Sequence, residues 1–156
     1  MNDSNEQWQA AERLALTLTE GGLQRMAART LAVFLFTDQQ TVTMGDIADQ
    51  LGVSAGSVSG SVKSLLAVGL IERLPAPGSR REHYRLREDA WATLFTSQNT
   101  VIQLMLQAAE TGIAATTPDD PAHDRLRQMH DFYQFMLNEI PTLLDRWRQH
   151  QATRSG

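Results

Sequence analysis

Cysteine is missing from all 156 residues, which excludes disulfides and thiolate metal sites without naming a compartment. Histidine is scarce. Four scattered residues leave metal chemistry little material, and His123 and His130, with no third ligand converging on them, read as surface residues. No apolar run approaches the ~20 residues of a membrane span. The opening MNDSNEQWQAAER has no basic segment leading into an apolar core, so the expected location is cytoplasmic, with no membrane partner. Catalytic signatures are lacking as well. GSVSG is one residue out of phase with a nucleophile elbow, and no Gly-Lys-Ser/Thr phosphate loop occurs. No enzyme, metal or cofactor is expected.

What is present is an ordinary globular composition, 42% hydrophobic and 21% charged, on a chain long enough for one core-bearing domain plus appended helices. The formal net charge of −4 argues at face value against nucleic acid, but its distribution does not. Between Ser54 and Arg87 stand Lys63, Arg73, Arg80, Arg81, Arg85 and Arg87 against Glu72 and Glu82, a local +4 that leaves −8 to the remainder. One basic segment in an acidic molecule suits a surface that meets phosphates while the rest repels them.

Periodicity predicts a first helix over about 6–20, broken by Gly21 and Gly22, and a second, largely buried one in LQRMAARTLAVFLF. After an extended piece at TVTM, Thr43 caps a third helix with Asp46 in the capping-box position, and Gly52 stops it. Ser54 caps a fourth, ending at Gly69, with only GVS between the two: a helix-turn-helix connection. The period then becomes alternating. Ile71 and Leu74 mark one short strand. In the other, Tyr84 and Leu86 face one way while His83, Arg85 and Arg87 face the other, across a projecting PAPGSRRE loop. A hairpin directly after a helix-turn-helix is a wing. The expected fold is mainly α with a small β-hairpin (α+β): a winged helix-turn-helix at 22–88, flanked by helical dimerisation regions at 1–21 and 89–156.

The stretch SAGSVSGSVKS assigns poor helix formers to a helix interior, yet Val58, Val62, Leu65 and Leu66 keep helical phase. The opposite face holds Gly56, Ser57, Gly60, Lys63, Ser64 and Ala67, with Ser54 at the start. Short side chains, hydroxyls, one cation and no acid suit a helix that enters a DNA major groove. The competing reading is close helix packing through Gly56 and Gly60. Arg80 and Arg81 at the wing tip, with Arg85 on its outer face, are the candidate phosphate or minor-groove contacts. Double-stranded DNA is therefore the expected partner; a winged-helix protein-interaction module without DNA binding is the alternative.

A long helix is expected from Asp89 through TGIA, and Pro121 opens a last one. In that helix Leu126, Met129, Tyr133, Met136, Ile140, Leu143 and Trp147 step by three and four, with Phe132 and Phe135 on a second flank and Pro141 as a kink site. Apolar girth of this extent calls for a second copy, and with Trp8 of the first helix these residues are the expected homodimer interface. Phe34, Phe36, Leu104, Met105, Phe132, Phe135 and Met136 supply aromatic and thioether surface for a hydrophobic small-molecule effector.

The run MGDIADQLGVSAGSVSGSVKSLLAVGLIERL followed by GSRREHYRL resembles the MarR family of bacterial winged-helix regulators. AARTLAVFLF, GLIERL, the wing and the acidic loop before the final helix are most similar to its branch of actinobacterial efflux-transporter repressors. The resemblance covers most of the chain from about Met26. It implies a homodimeric repressor held by terminal helices, with a ligand pocket between those helices and the DNA-binding lobe. The wing departs from the family in one respect: no acidic residue precedes Arg80 and Arg81.

Overall fold

Helices α1 (Asn2–Glu20), α2 (Arg25–Phe36), α3 (Met44–Leu51) and α4 (Ala55–Ala67) precede the strands β1 (Ile71–Leu74) and β2 (His83–Leu86). Helices α5 (Ala90–Ser97), α6 (Asn99–Ala114) and α7 (Pro121–Arg154) follow. The structure is a computed structural model that describes residues 2–97 and 99–156. The chain forms two compact units, one extending to Thr93 and the other Leu94–Gly156. The long helix expected from Asp89 is described as α5 and α6, and its position 98 lies outside the described residues.

The core of the first unit is built from the apolar stripes of three helices and the wing base. Leu31 of α2, Ile47 of α3, Val58, Val62 and Leu65 of α4, then Leu70, Ile71 and Tyr84, are all essentially inaccessible to water. Against the other side of α2, Ala15 of α1 packs on Ala28 and Ala32, with Ala11, Leu18 and Leu23 around them. Arg29 spans the same pair of helices, its Nη2 3.2 Å from Glu12 Oε1.

Local rules explain how the helix-turn-helix is punctuated. The Asp46 amide donates to Thr43 Oγ1 (3.1 Å) while the Thr43 amide donates to Asp46 Oδ2 (2.8 Å), the reciprocal capping box. Gly52, at φ +65°, closes α3 in the left-handed region. The Ser57 amide donates to Ser54 Oγ, which starts α4. Past α4, Gly69 takes φ +77°, and a Cβ there would stand 2.7 Å from Thr93 Cγ2, so both conformation and space require glycine.

The strands pair antiparallel, Ile71 with Leu86, Glu72 with Arg85, Arg73 with Tyr84 and Leu74 with His83. The extended piece at TVTM joins them through one bridge: Val42 and Tyr84 exchange both backbone hydrogen bonds, each 2.9 Å. Tyr84 thus sits between two neighbours, and burial, then its donation to Glu82, pushes its phenol above the usual range.

In the second unit α6 packs on α7, and at Gly112 an added Cβ would lie 2.8 Å from Leu126 Cδ1. Between the helices the Thr117 amide donates to Asp120 Oδ2. The surface placement expected for His123 is corrected: the ring is buried, with Nδ1 3.0 Å from Thr116 Oγ1. The connection that packs α6 on α7 closes over it. His130 is half-buried, its ring nitrogens 3.4 Å from Glu110 and 3.5 Å from Asp131. Helix α7 runs 34 residues and continues through Pro141.

Candidate nucleic-acid interface

Helix α4 buries Val58, Ser61, Val62 and Leu65 and turns its other side to solvent. Ser54, Gly56, Ser57, Gly60, Lys63, Ser64 and Ala67 are all exposed. Among the described residues the helix-packing alternative finds no partner at either glycine. A Cβ on Gly60 would meet nothing within 4 Å, and one on Gly56 only Ser54 Oγ at 3.9 Å. Two hydroxyls on or beside this face are turned back onto the helix, Ser61 Oγ donating to the Ser57 carbonyl and Ser64 Oγ to that of Gly60. Ser54 and Ser57 hold each other, Oγ to Oγ at 3.1 Å. These bonds keep short polar groups on a slim helix.

The wing divides its cations into two sets. Arg85 Nε lies 2.7 Å from Glu72 Oε1 on the facing strand, Arg73 Nε 3.5 Å from Glu82, and Arg87 Nε 3.2 Å from Asp89. Three of the six basic side chains of the segment are therefore paired. Among the described residues, Lys63, Arg80 and Arg81 have no such ion pair, and all three are exposed. Arg81 is turned toward α3, where a Cβ on Gly45 would stand 3.6 Å from its Nη1. The amide of Thr43 holds the Asp46 carboxyl below the usual carboxylate range against the effect of burial, and the nearby guanidinium of Arg81 acts in the same direction.

The structure thus brings the α4 face residues onto one open surface and puts Arg80, Arg81 and Arg85 on the hairpin that follows. It also reveals groups the sequence reading passed over: Glu72 and Glu82 as acidic partners, and His83, Ser79 and Thr41 as a hydrogen-bonded set. Strand register supplies the signal for Glu72, which comes opposite Arg85 once the hairpin is closed.

The other expected sites divide between the two units. Phe34 is buried and lines a cleft of about 170 Å³ with Thr37, Val42, Tyr84 and Leu86 among its walls, while Phe36 is exposed. In the second unit Leu104, Met105, Phe132 and Phe135 are exposed and Met136 is half-buried. Along α7 the seam changes character. Leu126, Met129 and Tyr133 are half-buried and Ile140 is buried, whereas Leu143 and Trp147 lie open; Trp8 of α1 is exposed as well.

A capped helix-turn-helix, a bare second helix and a basic hairpin define a winged-helix DNA-binding regulator. Residues 21–82 match the model described as the MarR family, and residues 89–150 match that of the MmpR5-like MarR family transcriptional regulators. The HTH-type transcriptional regulator MmpR5 of Mycobacterium tuberculosis (strain ATCC 25618 / H37Rv) is 31% identical over 128 residues, 81% of this chain and 78% of that one. A crystal structure of a transcriptional regulator superposes with a TM-score of 0.76 at 28% identity, covering 92% of this chain and 99% of the other. The chain belongs to the MarR family of transcriptional regulators, and it is not an enzyme.

Proposed function

We propose that this regulator is a homodimeric repressor of a transport or efflux operon that leaves its pseudo-palindromic operator when a lipophilic molecule binds. The observation that carries the DNA reading is the open face of α4, where small and hydroxylated residues and Lys63 stand exposed to solvent. Such a face fits a major groove, and Arg80 and Arg81 on the wing fit the adjacent phosphates or minor groove. A two-fold dimer projects its symmetry on the site, so half-sites fall about one helical turn, roughly 34 Å, apart. Exposed Leu143 and Trp147 on α7, with Trp8 on α1, support the terminal helices as the dimer contact. The MmpR5-like match over 89–150 supports the efflux-repressor branch.

Selection from random duplexes followed by footprinting tests the DNA reading. Two related half-sites are expected, with affinity falling steeply as salt rises. Protection of one unsymmetrical half-site by one chain, or no duplex affinity even at low salt, overturns it; the latter is the behaviour of a protein-interaction module.

Release has its own test. Leu104, Met105, Phe132, Phe135 and Met136 of the second unit are the proposed effector contacts, and a ligand can act only by preferring the state whose recognition helices no longer match the duplex. Fatty acids, their glycerol esters and hydrophobic drugs are titrated into protein and operator together. Binders that stabilise the protein yet leave operator affinity unchanged, or the absence of any binder, rule the mechanism out.

A further inference from the structure

His83 lies at the root of the wing and uses both ring nitrogens. Nδ1 is 2.9 Å from Thr41 Oγ1, on the extended piece before α3, and Nε2 is 3.2 Å from Ser79 Oγ in the hairpin loop. Ser79 Oγ in turn lies 3.3 Å from the Arg81 carbonyl and accepts from the Arg81 amide at 3.2 Å, while the Ser79 amide donates to the Ala76 carbonyl. Ser79 gives its one proton to the Arg81 carbonyl and accepts Nε2–H of the ring, while at Nδ1 either Thr41 or the imidazole can be the donor.

This chain of bonds has a mechanical meaning. The loop between the strands contains Pro75, Pro77 and Gly78 and projects from a hairpin of four residues a side, so its tip has little packing to fix it. Among the described residues, the backbone bridge between Thr41's segment and the wing is Val42 with Tyr84, one residue from His83. The imidazole extends that bridge by one rigid side chain to Ser79, next to Arg80 and Arg81.

We infer that His83 is a positioning residue: through Thr41 and Ser79 it fixes the wing tip to the helix-turn-helix, so that Arg80 and Arg81 are presented in one geometry. The inference rests on the DNA-binding reading for its use, though not for its structure. A held tip loses less conformational freedom when it meets DNA, so losing the tether weakens binding without removing a phosphate contact. That separates His83 from the arginines, because a lost contact lowers the salt slope by about 1 whereas a lost tether leaves the slope in place.

The experiment has two arms, one without DNA. In ¹⁵N relaxation, residues 79–83 should have order parameters near the rigid value of about 0.85, falling toward 0.6 in His83→Ala. Unchanged order overturns the tether, whatever the protein binds. In the second arm a mixed-sequence duplex of roughly 30 base pairs, long enough for two half-sites, is titrated at several salt concentrations. His83→Ala should weaken binding roughly five- to tenfold at unchanged slope, about the effect of one hydrogen bond to a positioned group. His83→Gln, which keeps an amide N–H toward Ser79, should recover part of the loss. In an Arg80→Ala/Arg81→Ala background His83→Ala should have no further effect.

A slope lowered by about 1 in His83→Ala would make His83 itself a phosphate contact, and persistence of its loss in the arginine-free background would mean that it acts elsewhere. Either result overturns the proposal. Thr41→Val changes the far end of the relay by one hydroxyl. It should reproduce the loss and be non-additive with His83→Ala, so the test survives even if His83→Ala folds poorly. If the wild-type protein binds no duplex, the DNA reading falls and the relaxation arm still decides the tether.

Discussion

The hydroxyl of Thr30 is fully buried in α2 and has no hydrogen-bond partner among the described residues. A buried donor left unpaired costs about 1–3 kcal/mol, and valine has nearly the same shape without the hydroxyl. Thr30→Val should therefore raise stability by about 1 kcal/mol, seen as a higher urea midpoint at unchanged m-value. Asp46 carries a different kind of sensitivity. Its folded-state pKa lies below the 3.8 of the unfolded chain, so its contribution is complete above that value and is lost as pH falls through the lower, folded value. Urea midpoints measured from about pH 6 down to about pH 3 should decline at the acid end, and less so in Asp46→Ala. Thr43→Ala, which removes the other half of the box, should cost about 1 kcal/mol at neutral pH.

At the scale of elements, two glycines end helices in the left-handed region for reasons that a pair of alanines separates. At Gly52 a Cβ would meet nothing, so Gly52→Ala bears only the conformational penalty, about 1 kcal/mol. At Gly69 the same substitution also drives a methyl into Thr93 Cγ2. Gly69→Ala should be the more damaging by at least about 1 kcal/mol, and Thr93→Ser should relieve part of the difference, measurable as a double-mutant cycle by chemical denaturation.

The same elements show which features could be read from sequence. Thr43 with Asp46, Gly52, Ser54 and the exposed face of α4 were legible because caps, stops and helical phase depend on residues within four positions of one another. The wing's ion pairs were not. Glu72 meets Arg85 only after a hairpin loop has closed with one particular register, and nothing in composition fixes that register. His83 read as an outward-facing strand residue for the same reason, since Thr41 reaches it from 42 residues away. The burial of His123 depends on how the connection after α6 turns back and sets Thr116 against the ring, a geometry that helical phase does not show.

For the molecule as a whole, the controlling quantity is how much of α7 its own chain can cover. At about 1.5 Å per residue α7 is roughly 50 Å long and α6 roughly 24 Å, so α6 reaches along less than half of it. Leu143, 53% exposed, lies toward the end of α7. On the homodimer proposed above, Leu143→Asp should shift sedimentation equilibrium toward monomer by several kcal/mol, through a carboxylate placed against an apolar partner. The single chain's helical circular dichroism should be retained, because that side chain is already open to water. A variant that remains dimeric would exclude this stretch of α7 from the interface.

Lys63 is also the chain's only lysine, and it stands exposed on the open face of α4. An amine-directed acylating reagent consequently has a single side-chain target, with the α-amine as an internal clock for reagent strength. Intact-mass kinetics then become a one-site chemical footprint of the protein rather than of the DNA. Duplex should slow acylation at Lys63 relative to the α-amine and salt should restore it, as phosphate shielding is screened. Equal slowing at both amines would locate the contact elsewhere, without a single mutation having been made.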